Sequence, residues 1–441
     1  MWRLTKNLDT GEKLKIFGPA IIITCIGFLV AYQFVAPAPP RKITMGTGSV
    51  QGAYFAYGKT FRELLAQDGI TLELRNTSGA VENLKLLEAQ SGGVEIAFVQ
   101  GGLATLAKEN NLVSLGSLFF EPLWIFHRSG IKLHRLPDLK GRRVAVGPEG
   151  SGTKVLTMQM LELNGVDDKN TRTLSYGAQK AADLLLSGDI DVAIFVANPR
   201  SQYILQLLKS KKVKLMGIER AEAYALRYKY LHLLKLPEGV IDFEANVPSR
   251  DLALIAPTAQ LVARSDLHPA LVALFLQAAG EVHRTGSGFE SIGQFPAPKY
   301  LDFKLSEEAN RFYESGPPFF QRYLPFWVAN FIDRMKIMLL PLIALLFPFF
   351  KLMPPIYRWR MRSRIYRWYP KLGAIDAEIF KEKITENLDK YIADLDALEK
   401  NVSSISVPLA FSEELYDLRL HIDLLRKKLQ KVKDADKPGA E

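Results

Sequence analysis

The chain of 441 residues carries a single cysteine, Cys25. One thiol excludes a disulfide framework within the chain, so cysteine pairing tells nothing of the redox compartment. Cys25 follows Ile22, Ile23 and Thr24, where a lipid-attachment site would want small residues, and it reads as one apolar side chain among others. Histidine is scarce as well, and the 6 present form neither an HExxH pair nor a cluster with carboxylates. There is no GxSxG elbow. Nor is there an internal repeat. Catalysis therefore has no positive support, and no metal or cofactor is expected.

A basic face inside the body of the chain is also lacking. The net charge is +10, yet basic and acidic residues nearly balance from Lys42 to Asp333. The excess is concentrated between Lys351 and Lys371, a stretch with Arg358, Arg360, Arg362, Arg364 and Arg367 and no acidic residue. A nucleic-acid binder would carry its positive charge on a folded domain. No nucleic acid is expected as a partner.

Two long apolar runs are present. Ile16 to Ala36 is apolar apart from Thr24, Tyr32 and Gln33, and long enough for a bilayer, which needs ~20 residues. Arg3, Lys6, Lys13 and Lys15 precede it, and Pro37-Ala38-Pro39-Pro40 follows. A cleaved signal peptide is the rival reading, but Ala36 and Ala38, the residues that suit cleavage, each stand before a proline. A retained anchor is expected. The second run covers 336–353 and contains Pro341 and Pro348, which membrane helices tolerate. Arginines alternating with Tyr357, Trp359, Tyr366 and Trp368 mark a cytoplasmic flank. Both termini are then expected in the cytoplasm, with the middle of the chain in the periplasm of a bacterial inner membrane.

In that middle part, short β-branched runs alternate with helical patterns. Ile43 to Gly46, Ile70 to Arg75, Val94 to Val99, Leu123 to His127, Arg143 to Val146, Ile190 to Val196, Val213 to Ile218 and Leu252 to Ala256 read as strands. Ala53 to Ala66, Val81 to Ala89, Thr153 to Leu163 and Ala178 to Leu186 read as helices. The alternation predicts an α/β fold with parallel sheets, and the length predicts two lobes.

Three loops share one chemistry: Met45 to Gly52, Asn76 to Gly79 and Gly147 to Thr153. Each places small residues between a strand and a helix, so backbone N–H groups and a helix N-terminus face an anion such as a carboxylate. In α/β folds such loops sit at the carboxyl ends of strands, where ligands bind. Two nucleotide motifs nearly match and fail. Gln51 occupies the third glycine position of a dinucleotide fingerprint, and the third loop continues Thr153-Lys154 where a P-loop has lysine first. That displacement turns the lysine ~100° around the helix, away from a phosphate.

Gly46-Thr47-Gly48 through Gly52 and Tyr54 resembles the opening strand-loop-helix of TAXI-type solute receptors of TRAP transporters. Ser78, Gly79, Glu82, Asn83 and Leu84 resemble a second signature of that family, and Ile96 to Gln100 a third. Leu139 to Gly147, followed by Gly150-Ser151-Gly152-Thr153, is similar to its entry into the second lobe, and Gly188 to Ala193 to the strand beyond. The resemblance covers about 40 to 320. It implies a periplasmic-binding-protein-like (type II) domain closing over a small organic acid or amino acid. Thr47, Gly48, Tyr54, Ser78, Asn83, Gln100, Ser151, Gly152, Thr153 and Asn198 would bind the ligand. Thr47, Ser78 and Ser151 would offer hydroxyls beside helix N-termini, and Tyr54 would pack on the solute's carbon skeleton. The sequence departs from the family after Ala193, where Ile194 to Pro199 replaces a glycine-containing segment, and in its anchors and tail.

The tail carries apolar residues at helical spacing from Ile375 to Leu398 and again from Leu415 to Leu429, with Ser412 before Glu413 and Glu414 as a helix start. A helical hairpin is expected. The full organisation is then a cytoplasmic N-terminus (1–15), a transmembrane helix (16–36), a two-lobed binding domain (41–330), a second transmembrane helix (336–353), a basic juxtamembrane segment (354–371) and a cytoplasmic hairpin (372–441). Lobe I takes about 41–125 and 252–330, and lobe II about 126–251. The function expected is a membrane-anchored receptor for TRAP-type uptake, with TRAP permease subunits or a cytoplasmic signalling partner. The alternatives are a transmembrane sensor read by the hairpin, and a scaffold whose cleft binds nothing.

Overall fold

Strands β1 (Lys42–Gly46), β2 (Thr71–Arg75) and β3 (Ile96–Gln100) alternate with helices α1 (Ala53–Gln67) and α2 (Ala80–Glu88). β1 lies between the other two strands and is parallel to both. In the computed structural model, which describes residues 18, 22–30, 32–33, 37–89, 92–108, 111–286, 288–379, 387–407 and 409–435, this βαβαβ unit opens a region spanning Pro37–Ile332. Its first sheet has the order β2-β1-β3-β12-β4, with β4 at Leu112–Phe120 and β12 at Thr258–Arg264. β12 runs antiparallel to both of its neighbours.

A second sheet has the order β7-β6-β8-β5-β9. Its strands are β5 (Leu123–Arg128), β6 (Arg143–Ala145), β7 (Arg172–Leu174), β8 (Val192–Val196) and β9 (Val213–Met216), interleaved with helices α3 (Gly152–Glu162), α4 (Ala178–Ser187) and α5 (Gln202–Lys209). Helix α6 (Ala221–Arg227) leads to an antiparallel pair, β10 (His232–Leu236) and β11 (Leu252–Ala256). The chain passes between the sheets twice, at Glu121-Pro122 and at Pro257. The two crossings are tied together, since the Glu121 N–H donates to the Pro257 carbonyl at 2.9 Å. This is a two-lobed, periplasmic-binding-protein-like α/β fold.

Both sheets mix parallel and antiparallel pairs, and their central strands β3, β12, β5 and β8 are buried on both faces. In the first lobe, Ile43, Met45 and Phe98 pack under α1 and α7 (Pro269–His283) with Phe61 and Phe275, while Val99 and Val262 face Leu84 and Leu87 of α2. Helix α8 (Glu307–Ser315) closes the same side through Ala309. In the second lobe, Trp124 and Phe126 point to one face and Ile125 to the other, the period of two expected of a strand. Each large apolar side chain so buried stabilises the fold by ~1.5–3 kcal/mol.

The remaining region is described by itself. Helix α9 (Phe326–Tyr366) runs into it and is followed by α10 (Tyr369–Ile379), α11 (Leu388–Ser403) and α12 (Ser412–Ala435). Helices α11 and α12 pack against each other, and α10, which holds Ile375, and the end of α9 join the same core. Ile365, Leu372 and Ile375 pack with Leu395, Leu398, Leu418, Ile422 and Leu429.

The two expected transmembrane helices need correction. Among the described residues, no helix is long and apolar enough to cross a membrane. The second run lies within α9, a helix of 41 residues, where the charge-free stretch between Lys336 and Lys351 is shorter than the ~20 residues a span requires. Of the first run, residues 18, 22–30 and 32 are helical and Gln33 lies in a turn; the rest of that expectation lies outside the described residues.

Candidate functional site

A cavity of about 180 Å³ opens between the two sheets of the Pro37–Ile332 region. Its construction follows from strand-to-helix junctions. Gly52 before α1, Gly79 before α2, Ser151 before α3, Gly177 before α4 and Ser201 before α5 all line it. The first N–H groups of a helix have no acceptor inside that helix. Five such termini therefore bring donors and the positive ends of helix dipoles to one place. The first three belong to the loops that the sequence singles out. The fourth and fifth are additions, and the short polar steps Tyr176-Gly177 and Asn198-Pro199 are the only sequence signals for them.

Eight of the ten expected residues line the cavity: Gly48, Tyr54, Ser78, Gln100, Ser151, Gly152, Thr153 and Asn198. Their hydroxyls are less available than the sequence suggests. The backbone N–H and the hydroxyl of Ser78 both donate to Glu82 Oε2, at 2.7 and 2.6 Å. These bonds hold the Glu82 carboxyl below its ordinary range. The Ser151 hydroxyl donates to the Pro148 carbonyl at 2.7 Å and accepts from the Lys154 N–H at 3.2 Å, capping α3. What these loops offer a ligand is chiefly backbone N–H.

Thr47 and Asn83 are placed behind the cavity wall. Thr47 is fully buried and donates its hydroxyl to the Arg75 carbonyl at 2.9 Å. Asn83 is equally buried, and its amide nitrogen donates to the carbonyls of Thr47 at 2.5 Å and Phe98 at 2.8 Å. Its amide oxygen lies 2.8 Å from the Thr77 hydroxyl. Asn83 thus ties the first loop, the second loop and β3 together. Gly46 makes room for it, since a Cβ there would lie 2.8 Å from Asn83 Oδ1.

The lobes meet across the cavity through specific bonds. The Glu82 N–H donates to the Gly150 carbonyl at 3.3 Å, and Gln100 Nε2 donates to the Gly152 carbonyl at 3.2 Å. Asn198 Nδ2 donates to the Tyr57 hydroxyl at 3.2 Å. Gly150 has φ 76°, and a side chain there would collide with the Ser78 hydroxyl. The arrangement is a closed cleft.

One residue in the cavity goes unsignalled in the sequence. Glu121, at the first crossing between sheets, is 6% exposed and accepts a hydrogen bond from the Tyr54 hydroxyl at 2.7 Å. Burial pushes its carboxyl up to about 8, against the opposing effect of the Tyr54 bond. Among the described residues, it is the only carboxyl in the lining, which has no lysine, arginine or histidine. Tyr54 itself stacks on Phe98, with ring centroids 5.0 Å apart. Phe195, Tyr176 and Tyr203 complete an aromatic wall. Among the described residues, no group of three or more His, Cys, Asp or Glu is placed to hold a metal ion.

A family model described as NMT1-like family matches residues 45–281, more than half of the chain. Solved structures similar to this one include the alkanesulfonate-binding protein SsuA from Xanthomonas axonopodis pv. citri bound to MOPS. It is 18% identical, with 44% of this chain and 70% of that one covered at a TM-score of 0.33. The periplasmic aliphatic sulphonate binding protein SsuA from Escherichia coli is 14% identical, with 69% and 82% covered and a TM-score of 0.36. An ancestral arginine-binding protein bound to arginine is also 14% identical, with 55% and 93% covered and a TM-score of 0.36. Likeness at that level says nothing of the ligand of this chain.

Proposed function

We propose, from the premise that the chain belongs to the NMT1-like family, that it is a solute-binding protein whose lobes close over a small carboxylate-bearing molecule. The observation that carries this reading is the convergence of five helix N-termini on one cleft whose lining, among the described residues, has no lysine or arginine. Such termini favour an anion through N–H donors and aligned dipoles. The size agrees: a cavity of ~150 Å³ takes a six-membered ring, so about 180 Å³ suits an organic acid or amino acid. In its finer form the reading is of a TAXI-class receptor that gathers solute outside the cytoplasm for TRAP-type uptake. The ordered set of loops from Gly46 to Thr153 supports it.

The test is a thermal-shift screen of the full chain against organic acids and amino acids. A ligand that binds the native state raises the midpoint with dose. At least one compound should do so, and Gly150→Val, which blocks the approach of the lobes, should abolish the shift. A folded protein that responds to nothing in a broad panel would leave a scaffold with an idle cleft.

A further inference from the structure

We infer that the solute carries an ammonium group as well as its anionic group, and that Glu121 receives it. This rests on the solute-binding reading above and narrows it to zwitterionic solutes, of which amino acids are the simplest.

The argument starts from what the cleft has and what it lacks. Hydrogen-bond donors are abundant, because the helix starts at Gly52, Gly79, Ser151, Gly177 and Ser201 all open into it. A purely anionic solute is served by these alone. A carboxyl buried among so many donors stays protonated until a cation offsets the several kcal/mol that desolvating its charged form costs. Glu121 sits in the lining at 6% exposure, and among the described residues no arginine, lysine or histidine lies in the lining beside it. Its one hydrogen bond from a described residue is the Tyr54 hydroxyl on Oε2, which leaves Oε1 without a donor.

The surroundings fit a cation. Tyr54, Phe195 and Tyr203 line the same cavity, and aromatic faces attract an ammonium by ~0.5–2 kcal/mol; the Tyr176 ring already carries the Lys180 ammonium, 4.9 Å from its centroid. Position matters too. Glu121 lies where the chain crosses between the sheets, with its N–H bound to Pro257 of the returning crossing. A cation held there would touch the hinge, while its carboxylate reached helix starts from both lobes. One molecule would thereby bridge the hinge and the two lobes.

A neutral Glu121 donating a proton to the solute is the competing chemistry. It would add one more donor where donors are already plentiful.

The experiment is calorimetric titration of the full chain with matched pairs: glutamate against 2-oxoglutarate, alanine against pyruvate, and leucine against 4-methyl-2-oxopentanoate. Each pair keeps the carboxylate and replaces the ammonium by a carbonyl. At least one amino acid should bind ten-fold or more tightly than its oxo acid. Glu121→Gln should weaken that amino acid at least ten-fold and leave the oxo acid within about two-fold. Tyr54→Phe, which keeps the carboxyl, should retain the preference for the amino acid. If oxo acids bind as well as or better than amino acids in every pair, the ammonium inference falls and the solute-binding reading stands. If neither member of any pair binds, and the wider panel is also silent, both fall. Should Glu121→Gln not fold, the wild-type preference across the pairs still decides.

Discussion

The Tyr54 hydroxyl donates to Glu121 Oε2 at 2.7 Å, joining the first helix of one lobe to the residue at which the chain leaves that lobe. Tyr54 is held in turn by its stack on Phe98 and its edge contact with Phe119. The pair therefore couples the cleft wall to the hinge.

The first prediction concerns pH. Burial raises the Glu121 carboxyl to about 8, above the ~4.3 of a free glutamate. Folding then takes up a proton at intermediate pH. The stability contributed by this uptake is fully present below the unfolded value and is lost as pH rises through the folded one. The melting midpoint of the ligand-free chain should fall between pH 5 and 9 more steeply in the wild type than in Glu121→Gln. Tyr57 and Tyr203, whose own acidities are affected by Glu121, are tyrosines raised above that window and do not obscure the difference. Parallel curves for the two proteins would contradict the assignment.

His283 predicts the opposite limb. Burial pushes its imidazole down to about 3, and among the described residues its Nε2 has no hydrogen-bond partner. The ring lies 4.6 Å from Tyr57 and 5.3 Å from Phe119. The unfolded chain binds a proton below about 6.5 and the folded chain does not, so stability is lost as pH falls from that value toward 3. His283→Phe should fill the aromatic cluster and make the midpoint less sensitive to acid between pH 6.5 and 4. Thermal melts of the two proteins across that range provide the check.

Asn83 predicts a structural loss. Asn83→Ala would strip donors from the Thr47 and Phe98 carbonyls and a partner from Thr77. An orphaned buried polar group costs ~1–3 kcal/mol. Urea unfolding should show a loss of about 2–4 kcal/mol, with any ligand affinity weakened through disorder of the first two loops. A cost under about 0.5 kcal/mol would show that water replaces the amide.

Gly150 predicts a loss felt more in binding than in stability. Its carbonyl accepts from the Glu82 N–H across the cleft, and its own φ of 76° favours glycine. Gly150→Ala should cost about 1 kcal/mol of stability through backbone strain. Affinity should drop at least ten-fold, because Ser78 stands where the new methyl would go. Circular dichroism and titration together separate the two effects. Equal affinity would mean that the lobes close by another route.

Much of the fold can be read from the sequence because short β-branched runs between helical periods are hard to mistake. Observed strands begin or end within two residues of the expected ones at Lys42–Gly46, Leu123–Arg128 and Leu252–Ala256. β4 escapes notice for a physical reason. Ser114, Gly116 and Ser117 break its apolar pattern, yet both serines are fully buried. A distant segment satisfies them: the Ser114 N–H donates to Lys304 O, and the Ser117 hydroxyl lies within reach of the Ala297 and Lys299 carbonyls. β12 hides similarly behind the buried Gln260. The three small-residue loops announce themselves by composition. Glu121 does not, because its burial arises from two strands of different sheets meeting, which no local pattern records.

The central claim is that a carboxylate is held by helix N-termini in the closed cleft, and a crystal structure with the tightest ligand of the panel tests it most directly. The account predicts carboxylate oxygens within hydrogen-bond distance of first-turn N–H groups at Ala80 or at Gly152 and Thr153, with the lobes closed over them. Ligand seated outside this cleft, or with its carboxylate turned to solvent, would contradict it.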